Sequence, residues 1–175
     1  MGFNGFVFSG LEPLAMRPGS IFAGLALAGD PMEDISLGHA FAGVPSDLGI
    51  PSAAGFRVIV EGRRRELQAS LRDEIYRIGR EAIANAYRHS NATDIEMVIE
   101  YRASELHIVV RDNGCGINPR ELMRNSQWGF QEMRAGAERM GARLRILSRV
   151  ALGTEVELCV PGRIAFVQRG VHATC

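Results

Sequence analysis

The sequence predicts an α+β fold, a two-layer sandwich whose mixed sheet is covered on one face by helices. Three observations carry that reading. Five short segments alternate or run β-branched, two longer ones repeat their apolar residues at helical spacing, and together they run β-α-β-β-α-β-β. Helices interleaved with strands in this way bury their apolar stripes against a sheet. With 46% hydrophobic residues in 175, the chain can also bury one substantial core.

Composition divides the chain near residue 56. Residues 1–55 hold 10 of the 20 Gly and 5 of the 7 Pro, but only one of the 20 basic residues, Arg17. Such punctuation predicts a loosely structured appendage with no long helix or strand, the remnant of an upstream region. Its apolar run Ile21–Ala28 is too short for a bilayer, which needs about 20 residues. That run follows a segment with Glu12 and a single Arg, so it is not read as an export signal. His39, among Gly38, Gly43 and Pro45, reads as a loop histidine.

From Phe56 the elements follow in order. Phe56-Arg-Val-Ile-Val60 is a β-branched strand stopped by Gly62, and residues 71–89 form a helix on the stripe Leu71, Ile75, Ile78, Ala82, Ala86. Ile95–Tyr101 and Leu106–Val110 make a hairpin around Ala103-Ser104. Asn118-Pro119-Arg120-Glu121 announces a helix start, with Asn as cap, Pro at the first position and Glu closing the capping box. A helix from about Gly129 to Met140 ends at Gly141, and the strands Arg143–Arg149 and Thr154–Val160 flank Gly153. Residues 56–162 form the domain and residues 163–175 a tail.

Charge and residue usage exclude several classes of chemistry. All 20 basic residues are Arg, so there is no Schiff-base lysine, no P-loop lysine and no strand lysine of the protein-kinase type. Twenty acids balance them, which leaves no basic footprint for nucleic acid. Cys115, Cys159 and Cys175 match neither a disulfide framework nor a zinc motif, which suggests a reducing compartment.

Two features carry chemistry. Glu74, Arg77, Glu81, Asn85 and Arg88 share one face of the 71–89 helix. Such a stripe is usually a solvated face. Asn, however, is a poor interior helix former, and Asn85 sits between two alanines that leave room for something to approach. The second is Asp112-Asn-Gly-Cys-Gly-Ile117 after a strand. An Asn-Gly pair there usually makes a hairpin, but a capped helix follows instead of a returning strand. Asp112 beside two glycines can accept a hydrogen bond from a planar ligand that the glycines let come close.

In order, Glu81-Ala-Ile-Ala-Asn85-Ala-Tyr-Arg88-His89, Asp112-Asn-Gly-Cys-Gly116, Trp128-Gly129-Phe130 with Met133-Arg134, and Gly153-Thr154 resemble the ATP-binding catalytic domain of sensor histidine kinases. That superfamily, with its Bergerat-type fold, includes DNA gyrase, the ninety-kilodalton heat-shock chaperone and mismatch-repair ATPases. The likeness is nearest to the group paired with LuxR-type regulators, and it covers residues 56 to about 161. By resemblance, Asp112 takes the adenine amino proton, Gly114 and Gly116 lie under the base, and Thr154 supports the adenine contact. Asn85 is the Mg²⁺ ligand, Glu81 activates a nucleophile or orients metal-bound water, Arg88 takes the place where many relatives use Lys on the phosphates, and His89, on the same helix, is ATP-binding. Residues 117–128 form a lid, and Gly129 and Phe130 open the helix whose N–H groups meet phosphate.

The resemblance implies ATP and Mg²⁺ as cofactors, and a cytoplasmic kinase domain of the kind that also occurs within membrane-anchored full-length sensors. Its partners would be a histidine-bearing dimerisation domain and a LuxR-type response regulator. Glu132 stands where a second glycine is usual, and no phosphoacceptor histidine is recognisable. Two alternatives therefore stay open: a non-catalytic nucleotide-binding module, and a stand-alone ATPase or serine kinase of the same superfamily.

Overall fold

In the segments that alternate with period two, one set of side chains faces helices and the other faces away, and this fixes the architecture. The computed structural model describes residues 6–7, 37–49, 54–118 and 129–168. In chain order they form β1 (Phe6–Val7), α1 (Leu37–Leu48), β2 (Gly55–Gly62), α2 (Ala69–His89), β3 (Asp94–Tyr101), β4 (Glu105–Asp112), α3 (Phe130–Arg139), β5 (Arg143–Arg149), β6 (Gly153–Pro161) and α4 (Gly162–Ala165). The sheet order is β1-β5-β6-β4-β3-β2. β2 pairs with β3 and β1 with β5 in parallel, and the remaining pairs are antiparallel, so the predicted mixed sheet forms.

Its inner face presents Ile95, Met97 and Ile99, then Leu106, Ile108 and Val110, Val156, Leu158 and Val160, and Leu144 and Ile146. Against these lie Ile75, Ile78, Ala82, Ile83 and Ala86 of α2 and Phe130, Met133 and Ala137 of α3, all in one continuous core. On the opposite face, among the described residues, Ile59, Val98 and Val109 form a small apolar cluster. Among the described residues no helix is long and apolar enough to cross a membrane.

The structure corrects three expectations. Residues 37–48, expected to be too punctuated for a helix, form the twelve-residue α1, and His39 lies exposed on it rather than in a loop. Leu37, Phe41 and Val44 supply the reason: spaced for one helical face, all three are buried in the core, and their burial outweighs Gly38, Gly43 and the missing N–H of Pro45. At the other end, residues 163–168 are not a loose tail. Ala165 and Phe166 are fully buried, Phe166 bridges Leu67, and the Arg65 guanidinium lies 3.8 Å above its ring. Ile21–Ala28, Pro119–Trp128 and His172 fall outside the described residues, as does most of the expected lid.

One contact fixes how α1 meets α2. The Phe41 ring stacks on Tyr76 at 5.3 Å and fills the space over Gly79, where a Cβ would lie 2.5 Å from two ring carbons. Ala is the better helix former by about 1 kcal/mol. Gly79→Ala is nevertheless expected to destabilise the fold by about 1–3 kcal/mol, because the added methyl overpacks the ring. Urea denaturation measures it.

A buried carboxylate in a cleft between α2 and the sheet

The candidate site lies where the last turns of α2 cross the ends of β4 and β6. α2 is amphipathic, and its apolar stripe docks on the sheet as the spacing of Ile75, Ile78, Ala82 and Ala86 requires. Asn85 follows on the same buried side, only 8% exposed, and lines a cleft with Ala82, Ala86, His89 and Ser90. The opposite wall consists of Val110, Asp112, Gly116, Ile117, Phe130, Thr154 and Val156. A small-residue helix face on one side and an apolar strand end on the other leave room for a flat ligand.

Asp112 is the last residue of β4 and pairs in register with Thr154 of β6. Its side chain accepts a hydrogen bond from the Gly114 N–H at 2.9 Å. Burial nevertheless pushes the carboxyl up to about 6, outweighing the bonds it accepts from the backbone N–H groups of Gly114 and Thr154. Close packing explains the two glycines beside it. A Cβ at Gly114 would strike the Ser90 carbonyl, and one at Gly116, which has φ +67°, would strike the Arg149 carbonyl. Cys115 N–H donates to Ser90 O at 2.7 Å and Ala151 N–H to Cys115 O at 2.8 Å, so the loop is clamped between α2 and the β5–β6 turn.

Thr154 is oriented by Ser148, a residue that sequence reasoning missed. Ser148 is 3% exposed; its Oγ accepts from the Ile117 N–H at 2.8 Å and donates to the Gly153 carbonyl at 3.1 Å. With its one hydrogen so used, the 3.0 Å contact to Thr154 Oγ1 is donated by Thr154. Thr154 then offers lone pairs to the cleft, as an ionised Asp112 does, and the two select a ligand edge that donates hydrogen bonds. The signal was available: position 148 shares the inward alternation of Leu144 and Ile146. Ser148→Ala is expected to cost about 1–3 kcal/mol by leaving the Ile117 N–H unpaired, as read by chemical denaturation.

The structure brings Asn85, His89, Asp112, Gly116, Phe130 and Thr154 to one cleft, with Gly114 bonded to Asp112 just behind it. Burial first, then the Arg88 charge, holds His89 below the usual imidazole range. Arg88 is exposed and, like Glu81, does not line the cleft. Glu81 instead lies against Gly129, which caps α3 with φ +64°; a Cβ there would sit 3.0 Å from Glu81 Cγ. Glu74 and Arg77 point elsewhere, joined to Arg139 of α3, where Arg139 Nη2 donates to Glu74 at 2.9 Å. The five polar residues of α2 therefore divide between a helix–helix tie and the cleft region. Glu132 is exposed in the first turn of α3 and acts on Arg77.

Known proteins resemble this chain in sequence and in fold. A family profile described as histidine kinase-, DNA gyrase B- and HSP90-like ATPase matches residues 70–164. The sensor protein VraS of Staphylococcus epidermidis is 32% identical over 130 residues, 74% of this chain and 36% of its own length. VraS of Staphylococcus aureus is 31% identical over the same 130 residues, 37% of its length. The chain thus spans little more than a third of these relatives. The solved histidine kinase domain of the Erythrobacter litoralis EL346 blue-light activated histidine kinase matches with a TM-score of 0.59 at 19% identity, over 71% of this chain and 62% of that one. At that identity it speaks for the fold. From α2 to the end of β6 the profile runs through every wall of the cleft, and the chain belongs to the histidine kinase-, DNA gyrase B- and HSP90-like ATPases.

Proposed function

We propose that this chain is the ATP-binding catalytic domain of a sensor histidine kinase, presenting Mg·ATP to a histidine on a dimerisation domain. The observation that carries the proposal is the buried Asp112 carboxyl, flanked by Thr154 and facing the small-residue side of α2 across the cleft. Ionised Asp112 and Thr154 accept from an exocyclic amine, which suits adenine and disfavours a base with a carbonyl at that position. Gly114 and Gly116 let the ring approach the loop.

Asn85 supplies a hard oxygen donor at the cleft wall, which fits Mg²⁺, an ion that keeps several waters and takes few protein ligands. When bound, that ion neutralises phosphate charge. Glu81, one turn earlier on α2, orients the incoming nucleophile or a water. Arg88 is the phosphate-binding cation in this reading, because its fork engages phosphate oxygens in pairs, and His89 is a further ATP contact from the cleft wall. The free N–H groups at the start of the helix after Gly129 suit the same anionic ligand. A LuxR-type response regulator as the eventual phosphate acceptor is part of this reading, supported by the Glu81-to-His89 motif.

A thermal titration with Mg·ATP tests it. The wild type is expected to gain stability with ligand, by about 2.7 kcal/mol at a hundredfold excess over Kd. Asn85→Ala should lose the Mg²⁺-dependent part of that gain. Incubation with labelled ATP and an added dimerisation domain should then label histidine. No shift with Mg·ATP in the wild type would overturn the proposal.

A further inference from the structure

The sheet face turned away from the helices carries a second cluster of chemically able side chains. Strand register aligns Glu100 of β3, His107 of β4, Cys159 of β6 and Arg143 of β5 in one row, and Glu157 precedes Cys159 by two on the same face. His107 Nε2 lies 2.8 Å from Glu157 Oε1, and Cys159 Sγ lies 3.7 Å from that same oxygen. One ligand atom from each of the three residues falls within 4.8 Å of the other two. His107 and Cys159 are 7% and 5% exposed.

We propose that His107, Glu157 and Cys159 form a zinc-class metal site on this face, with the fourth position open to water. Imidazole nitrogen, carboxylate oxygen and thiolate sulfur are the three zinc donors, and the mixture selects zinc over magnesium. Bond lengths of 2.0–2.3 Å place tetrahedral donors about 3.3–3.8 Å apart, so adjustments of roughly an ångström complete the geometry.

Each donor already has an outer partner. His107 Nδ1 donates to Glu100 at 2.9 Å, which leaves Nε2 for the metal, and Arg102 in turn holds Glu100. Arg145 binds the far oxygen of Glu157 at 3.2 Å and leaves Oε1 pointing inward. Arg143 Nη2 approaches Cys159 Sγ at 3.7 Å and so lies behind the third donor. Outer partners that fix the tautomer and orientation of ligands are what metal sites require. In the metal-free protein the proton of the 2.8 Å hydrogen bond between His107 Nε2 and Glu157 Oε1 spans this position. The metal replaces that proton and the thiol's.

Cobalt titration of the full chain at mildly alkaline pH provides the test, because Co²⁺ reports its ligands. The wild type is expected to take up one equivalent, with a near-ultraviolet thiolate charge-transfer band and intense visible bands of a four-coordinate ion, all abolished by added Zn²⁺. Cys159→Ser should lose the near-ultraviolet band, and Cys115→Ser and Asn85→Ala should keep it. Glu100→Gln should weaken binding about 10–100-fold without changing the spectrum. Circular dichroism establishes that each variant is folded. A wild type with no near-ultraviolet band, or a band that survives in Cys159→Ser, would overturn the proposal whether or not the protein binds ATP.

Discussion

Asp112→Asn is expected to yield a protein that is more stable without nucleotide and nearly indifferent to it. The folded carboxyl titrates at about 6 against an ordinary 3.8 because it is buried. A group raised in this way contributes stability that is fully present below the unfolded value and is lost as pH rises through the folded one. Above about pH 6 the ionised Asp112 therefore costs on the order of 2–3 kcal/mol, since each pH unit of displacement is worth 1.36 kcal/mol. Asparagine carries no charge at any pH. Its stability advantage should be near zero at about pH 4 and grow to that amount by about pH 7, as read from urea midpoints across the series. Nucleotide binding should move the other way. The Gly114 N–H fixes one side-chain oxygen of residue 112 as an acceptor, so in the variant the NH₂ group turns towards the cleft, donor against donor. A lost bond to a charged acceptor corresponds to about 10–100-fold in affinity. Adenosine is the cleaner probe, because the terminal phosphate of ATP titrates in the same range. Its affinity for the wild type should fall about tenfold for each pH unit below about 6. An Asp112→Asn protein with the wild-type ATP shift would remove Asp112 from the site.

Phe41→Ala is expected to cost about 3–5 kcal/mol, the range for a large aromatic deleted from a packed core. Phe41 is fully buried between Tyr76 and Gly79. A ring removed from over a glycine leaves a void that neither backbone nor side chain can fill, which favours the upper part of the range. A loss below about 1 kcal/mol in guanidinium unfolding would mean that α1 is peripheral to the domain.

Strands and α2 were legible because alternation and helical spacing act locally. Val58, Ile95–Ile99 and Leu106–Val110 alternate or run apolar wherever they are placed, and the Asp112 motif follows its strand directly. α1 was hidden because only Leu37, Phe41 and Val44 mark its buried face, among residues that ordinarily stop helices. Phe166 could not be placed without knowing that Leu67 and Tyr101 receive it. Of the site, Asn85, Asp112 and Thr154 were readable as motifs, whereas Ser148 acts only through Thr154 and Ile117. The His107 cluster was unreadable for a different reason: its partner Glu157 is 50 residues away, and the pairing depends on β6 entering the sheet beside β4. Local pattern sets which way a side chain faces, but strand order sets what it meets.

The Phe41 ring over Gly79 has a mechanical meaning. A ring seated where a side chain is missing is a peg in a socket: α1 cannot slide far along α2 without taking the ring out of the space over Gly79. Asn85 lies six residues further along the same rigid rod, about 9 Å from the socket. A pull or twist applied to α1 therefore bears directly on the helix that forms one wall of the cleft, where a slack tether would have absorbed it.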